Sequence, residues 1–132
     1  MTGFQWRVRV YYEDTDSGGV VYYANYLRFM ERARTEWMRA RGYEQDWLRA
    51  EHGLLFAVRS VHVEYLLPAR FNAQLDVSVV VQEVGRASLT FRQDITHADD
   101  LRLLCSGTVR IACVDADTFR PKPLPDFILK EL

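Results

Sequence analysis

The chain has 132 residues, a length that ordinarily makes one domain, so residues 1–132 are read as a single folded unit. Its composition is 48% hydrophobic and 27% charged, which excludes a disordered chain and leaves enough apolar surface for a core without disulfide or metal staples. The formal charge of −1 excludes the broadly basic face of a general nucleic-acid binder, and no apolar run approaches the ~18 residues of a membrane span.

Trp6 to Glu13 alternates β-branched and aromatic residues (Val8, Val10, Tyr12) and is expected to form a strand. Asp14-Thr15-Asp16-Ser17-Gly18-Gly19 is a turn cluster. From Asn25 to Arg41 the period becomes helical: Tyr26, Phe29, Met30, Ala33 and Trp37 form one stripe, and Gly42 is a natural stop. A shorter helix is expected from Glu44 to His52, closed by Gly53. Leu54 to Leu67 reads as one long strand whose in-facing parity switches from even (Leu54, Phe56, Val58) to odd (Val61, Val63, Tyr65), which calls for a bulge near Arg59-Ser60. Leu75, Val77, Val79 and Val81 alternate, Gly85-Arg86 makes a hairpin turn, and Leu89, Phe91 and Ile95 alternate again. His97–Asp100 is a turn, and Leu103, Cys105, Val109, Ile111 and Cys113 form the last strand. Pro121, Pro123 and Pro125 are expected to forbid further regular structure. One strand, one long helix and four strands joined by short turns imply an α+β fold, a five-stranded antiparallel sheet wrapped around one long helix, with open edges that a two-fold homo-oligomer would pair.

Cys105 and Cys113 share a strand face about 26 Å apart, at ~3.3 Å per residue, beyond disulfide reach. They read as buried thiols in a reducing compartment, and Met1–Arg7 lacks the charged and apolar regions of a signal peptide, so a cytoplasmic location is expected. Of the 17 basic residues only Lys122 and Lys130 are lysines, a preference either for the forked donor of Arg or of the coding habits of the source. His52, His62 and His97 have no second His or Cys at ligand spacing, so no metal site is expected. No Ser occupies a nucleophile elbow, which disfavours a Ser triad.

The Asp-rich turn between the first strand and the long helix admits three readings. It is turn chemistry with a negative charge near a helix start, or a calcium loop, or a catalytic carboxylate facing free helix amides. The calcium loop fails, because its twelfth position counted from Asp14 is Asn25 rather than a carboxylate. In the third reading, unpaired N–H groups at the helix start would stabilise an oxyanion, Gly18 and Gly19 would let a substrate carbonyl approach the backbone, and a carboxylate would activate water or attack the carbonyl.

Tyr11-Tyr12-Glu13-Asp14-Thr15-Asp16-Ser17-Gly18-Gly19-Val20-Val21-Tyr22-Tyr23-Ala24-Asn25-Tyr26-Leu27 resembles the signature of the 4-hydroxybenzoyl-CoA thioesterase family, acyl-CoA thioesterases of the hotdog fold. Phe29–Trp37, Val63–Arg70 and Pro121–Pro125 are similar to the branch associated with the Tol-Pal envelope system. The resemblance implies hydrolysis of an acyl-CoA or acyl-carrier-protein thioester without a cofactor, CoA being part of the substrate, by a dimer or dimer of dimers with sites at the subunit interface. It implies Asp16 as the catalytic carboxylate, the Tyr23 N–H as the group polarising the thioester carbonyl, and Gly19 close to that carbonyl. The Tol-Pal-associated branch usually carries His at the position of Tyr23, whereas the 4-hydroxybenzoyl-CoA enzymes carry Tyr; a purely main-chain role tolerates either. For the three phosphates of CoA, Arg86 and Ser88 match a segment that in the family approaches the nucleotide, with Arg59, Arg120 and Lys122 as further candidates. Asn25 would cap or orient the helix start or contact substrate, Asp14 would order the turn, and Glu31 would pair along the helix with Arg28 or Arg34 or brace the site. Tyr26, Phe29, Met30, Phe56, Val58 and Tyr65 are candidates for an acyl slot or for plain core. Two rivals remain: a hotdog dehydratase, which would bring a His-based acid–base pair absent from the motif, and an envelope scaffold with vestigial activity, for which the Arg-rich helix face would serve.

Overall fold

The computed structural model describes residues 3–132; Met1 and Thr2, which open the segment expected to lack a signal sequence, lie outside the described residues. Five strands, β1 (Phe4–Arg9), β2 (Leu54–Tyr65), β3 (Gln74–Val84), β4 (Ser88–His97) and β5 (Leu103–Asp115), form one antiparallel sheet in the order β1-β3-β4-β5-β2. Three helices accompany them: α1 (Asn25–Ala40), α2 (Gln45–His52) and α3 (Asp126–Leu129). The α+β class and the five antiparallel strands are as expected, but α1 shares the helical layer with α2.

The stripe on α1 does what its spacing dictates. Tyr26, Phe29, Met30, Ala33, Trp37 and Met38 are buried, and the Trp37 ring meets Phe91 of β4 edge-on at 5.1 Å. Each fully buried large side chain of this kind contributes ~1.5–3 kcal/mol. The helix stops where Gly42 takes φ +89°, a left-handed conformation that costs a side-chain-bearing residue more. α2 ends the same way at Gly53, and the Lys122 ammonium donates to the carbonyl of His52 at 2.8 Å, closing its last turn.

The bulge falls where the parity switch placed it: Val58 faces Ile111 and Ser60 faces Arg110, so Arg59 is the extra residue. The strands were not all joined by short turns, however. β2 pairs with β5 at the far edge, while β3 sits between β1 and β4, so the chain crosses the sheet between Tyr65 and Gln74. That crossing carries residues that matter below: the N–H groups of Leu66 and Leu67 both donate to the Leu104 carbonyl, and the Ala69 carbonyl accepts from Val21.

Two further expectations need correction. The first strand ends at Arg9 rather than running to Glu13, because Tyr12–Asp14 form a 3-10 turn. Local bonds override the alternation: the Asp14 carboxylate accepts from the Tyr11 N–H at 2.9 Å, and the Thr15 hydroxyl donates to the Tyr12 carbonyl at 2.8 Å. The proline-rich tail also does not end regular structure. Pro125 leads directly into α3, since a proline at a helix start gives up an N–H that has no helical partner anyway, and Ile128 is buried.

As an edge strand, β2 lies beyond full cover. Val58 and Val61, expected to face inward, are 51% and 43% exposed. Among the described residues no helix is long and apolar enough to cross a membrane.

Candidate active site

The Asp-rich segment folds as a small hairpin-like loop. Thr15 and Val21 form an antiparallel bridge, the Asp16 N–H donates to the Val20 carbonyl, and the Gly19 N–H returns to the Asp16 carbonyl at 3.0 Å. Gly19 has φ +78° with open space where a side chain would stand. The loop is anchored from outside by Val20 bridging to Arg70 and by the Val21 N–H donating to Ala69. The Asp16 side chain is exposed. Its Oδ1 accepts from the Gly18 N–H at 2.8 Å, and its Oδ2 accepts no bond from the described residues. A side chain at Gly18 would crowd that carboxylate at 3.2 Å.

The other half of the motif starts α1. Asn25 N–H reaches back to the Tyr22 carbonyl, Tyr26 to Tyr23, and Leu27 to Ala24. The N–H groups of Tyr23 and Ala24 donate to no group among the described residues, as expected for the first amides of a helix. One carbonyl ties the two halves together: that of Asp14 accepts the Tyr22 N–H at 2.9 Å and the Asn25 side-chain amide at 2.9 Å. Asn25 is buried. Its amide braces the helix start against the loop, and Asp14 orders the turn.

Beside the free amides lies a cavity of about 230 Å³ lined by Val21, Tyr23, Tyr26, Tyr65, Leu66, Leu67 and Pro68. Tyr65 meets Tyr23 edge-on at 6.0 Å and Tyr26 at 5.6 Å. The Tyr26 hydroxyl is fixed by accepting from the Ala69 N–H at 3.0 Å. Burial raises the phenol pKa of Tyr26 and Tyr65, so both stay neutral donors. Burial likewise pushes the Cys105 thiol up to about 12 and raises Cys113, which removes both as thiolate nucleophiles.

The chain belongs to the thioesterase-like superfamily. The family model matches residues 10–132. The chain is 45% identical to the acyl-CoA thioester hydrolase YbgC of Escherichia coli, over 98% of this chain and 96% of that one. It is 42% identical to the acyl-CoA thioesterase YbgC of Haemophilus influenzae, over 93% and 89%. A crystal structure of a probable thioesterase from Bartonella henselae superposes with a TM-score of 0.88 at 31% identity, covering 94% of this chain and all of that one.

Within this thioesterase-like fold the expected site residues divide. Asp16, Gly19, Tyr23 and Asn25 come together in one loop-and-helix corner. Arg86 and Ser88 do not join them. Ser88 stands in the row Ser88–Ala112–Ala57, whereas the corner adjoins the row Ile95–Cys105–Tyr65. The two rows are seven residues apart along β4, about 23 Å at ~3.3 Å per residue. Arg86 is exposed in the β3–β4 turn, its carbonyl accepting from Leu124. Arg59 is exposed at the bulge, and Arg120 is exposed beyond β5. The Lys122 ammonium is already engaged with His52. Of the candidate acyl-slot residues, Tyr26 and Tyr65 line the cavity beside Tyr23, Phe56 and Val58 line another, and Phe29 and Met30 are buried core.

Sequence reasoning missed Gln93 and the contact it makes with Arg34. Gln93 is 0% exposed beneath α1; its amide N–H donates to the Met30 carbonyl at 3.0 Å and its oxygen accepts from the Arg34 guanidinium at 2.9 Å. The signal was present: Gln93 occupies the in-facing position between Phe91 and Ile95.

Proposed function

We propose that the protein hydrolyses acyl-CoA thioesters to a carboxylic acid and free CoA, with the thioester carbonyl seated against the Tyr23 N–H. The observation that carries this reading is the pair of free amides opening α1 beside an apolar cavity, in the same corner as an exposed carboxylate with one unengaged oxygen. An amide donor at the position of the developing oxyanion is worth ~3–4 kcal/mol in the transition state. Asp16 activates water as a general base or attacks the carbonyl to form an anhydride that water then opens. Both routes end with the thiol leaving protonated and the oxygen of water in the acid. Gly19 leaves the carbonyl side open, and Asn25 holds loop and helix in register.

The full-length likeness to YbgC acyl-CoA thioesterases supports the substrate class. An acyl-carrier-protein thioester presents the same pantetheine and the same carbonyl. The chemistry calls for no cofactor or metal. The free edge of β2 supports a homo-oligomer joined along that edge. Such an assembly would bring groups from a second copy, Arg86 and Ser88 among the candidates, towards ligands they cannot reach within one chain. Two buried free thiols suit a reducing cytoplasm. The test is a panel of acyl-CoAs from short to long and aromatic, read by release of free thiol. Turnover on members of the panel is expected; no thiol release from any of them overturns the reading.

A further inference from the structure

Two cavities lie along the open side of α1 facing β2. One, of about 230 Å³, is lined by Leu27, Arg28, Glu31, Arg34, Val58, Val61 and Val109. The other, of about 270 Å³, holds Arg34, Thr35, Gln45 and Phe56 among its walls. They share Glu31, Arg34 and Val58, so they form one groove, apolar at the end nearer the start of α1 and polar at the far end. Leu27, at the near end, is the third residue of α1, so this end of the groove opens beside the helix start.

Arg34 is the unusual group in this groove. It is half-buried, and no carboxylate among the described residues lies within ion-pair distance of it. Glu31 acts on it only at longer range, and burial lowers its pKa. One of its five N–H donors goes to Gln93. Gln93 is itself locked, because its other end must donate to the Met30 carbonyl. A wholly buried glutamine is a costly way to fill a position that an apolar side chain would fill without penalty. What it achieves is to hold a guanidinium, still carrying donors, where the apolar end of the groove meets its polar end. A partly desolvated guanidinium with no carboxylate in ion-pair distance, and Glu31 of the groove wall acting on it only at longer range, offers its remaining donors to an anionic occupant, and its planar fork suits a carboxylate.

We propose that this groove holds the acyl chain of the thioester and that Arg34 selects acyl groups ending in a carboxylate. The inference rests on the thioesterase reading for the place of the ester carbonyl. Arg34 stands nine residues along α1 from Asn25, about 14 Å at 1.5 Å per residue, which suits a chain of roughly eight to twelve carbons at about 1.3 Å per extended bond. The substrate class is therefore the CoA half-thioester of a medium-chain dicarboxylic acid. The reaction that consumes the product would act on the free diacid.

The test uses non-hydrolysable thioethers, S-decyl-CoA and S-(9-carboxynonyl)-CoA, titrated calorimetrically into wild type and Arg34→Met. The wild type binds the carboxylated ligand tenfold or more tighter, and the ratio falls towards one in the variant. Should Arg34→Met not fold by circular dichroism, Arg34→Gln, which keeps an N–H for Gln93, replaces it. Equal binding of the two ligands by the wild type, or an unchanged ratio in the variant, overturns the proposal. So does an equal loss of affinity for unacylated CoA, which would make Arg34 a phosphate contact. Hydrolysis failure is distinguishable: a wild type that turns over no thioester sinks the hydrolase reading while the binding ratio still reports on the groove.

Discussion

Replacing Asn25 by Asp is the sharpest structural perturbation of the motif. The Asn25 amide donates to the Asp14 carbonyl at 2.9 Å from a site only 9% exposed. Asn25→Ala removes that bond, but the Asp14 carbonyl keeps the Tyr22 N–H, so the acceptor is not orphaned and the cost is that of one net hydrogen bond and a small void, about 1–2 kcal/mol. Asn25→Asp keeps the shape and sets a carboxylate oxygen against a carbonyl oxygen. The helix start returns ~0.3–1 kcal/mol to a negative charge, while a buried, unsatisfied carboxylate costs more, so a net loss of about 2–3 kcal/mol is expected at neutral pH. For a domain of this length about 1 kcal/mol lowers Tm by roughly 3–4 °C, which puts Asn25→Asp about 6–12 °C below the wild type in thermal unfolding at pH 7. The sign with pH is fixed. The introduced carboxyl is held above its unfolded pKa, so the native state binds the extra proton first and the deficit shrinks as pH falls, the protonated acid being able to donate to Asp14. An Asn25→Asp protein that melts with the wild type at pH 7, or that is more stable than Asn25→Ala there, would refute the brace assigned to Asn25.

Gly19→Ala forces a side-chain-bearing residue to φ +78°, a strain of about 1–2 kcal/mol. Tm should fall by several degrees and acyl-CoA turnover should drop, because the same loop carries Asp16; unchanged melting and turnover together would show that the loop adjusts freely. Cys105, with its thiol pushed up to about 12 by burial, should resist thiol-modifying reagents at pH 8 in the native protein and react fully once denatured. Rapid native labelling at Cys105 would contradict its place in the core.

Much of the architecture was written in local pattern. The α1 stripe, the bulge at Arg59 and the hairpin at Gly85 each follow from periodicity or turn chemistry within a few residues, and the structure keeps all three. What failed was of two kinds. The first strand was overrun because Asp14 and Thr15 bind their own backbone, a competition that alternation alone does not display. The remainder depended on long-range order: only the strand order reveals that β2 is an edge and that the Arg86–Ser88 turn lies at the opposite end of the sheet from Asp16. That Asp16, Tyr23, Gly19 and Asn25 share one corner was legible because they lie within ten residues of one another in sequence. Arg34 and Gln93 are separated by 59 residues and meet only through the packing of α1 on β4.

The claim on which the account turns is that Asp16 performs chemistry rather than shaping its loop. Asp16→Asn leaves an Oδ1 to accept the Gly18 N–H, so the loop and the melting temperature should hold, while kcat for acyl-CoA hydrolysis should fall by roughly 10²–10⁴. A folded Asp16→Asn protein that hydrolyses acyl-CoA at the wild-type rate would contradict the account.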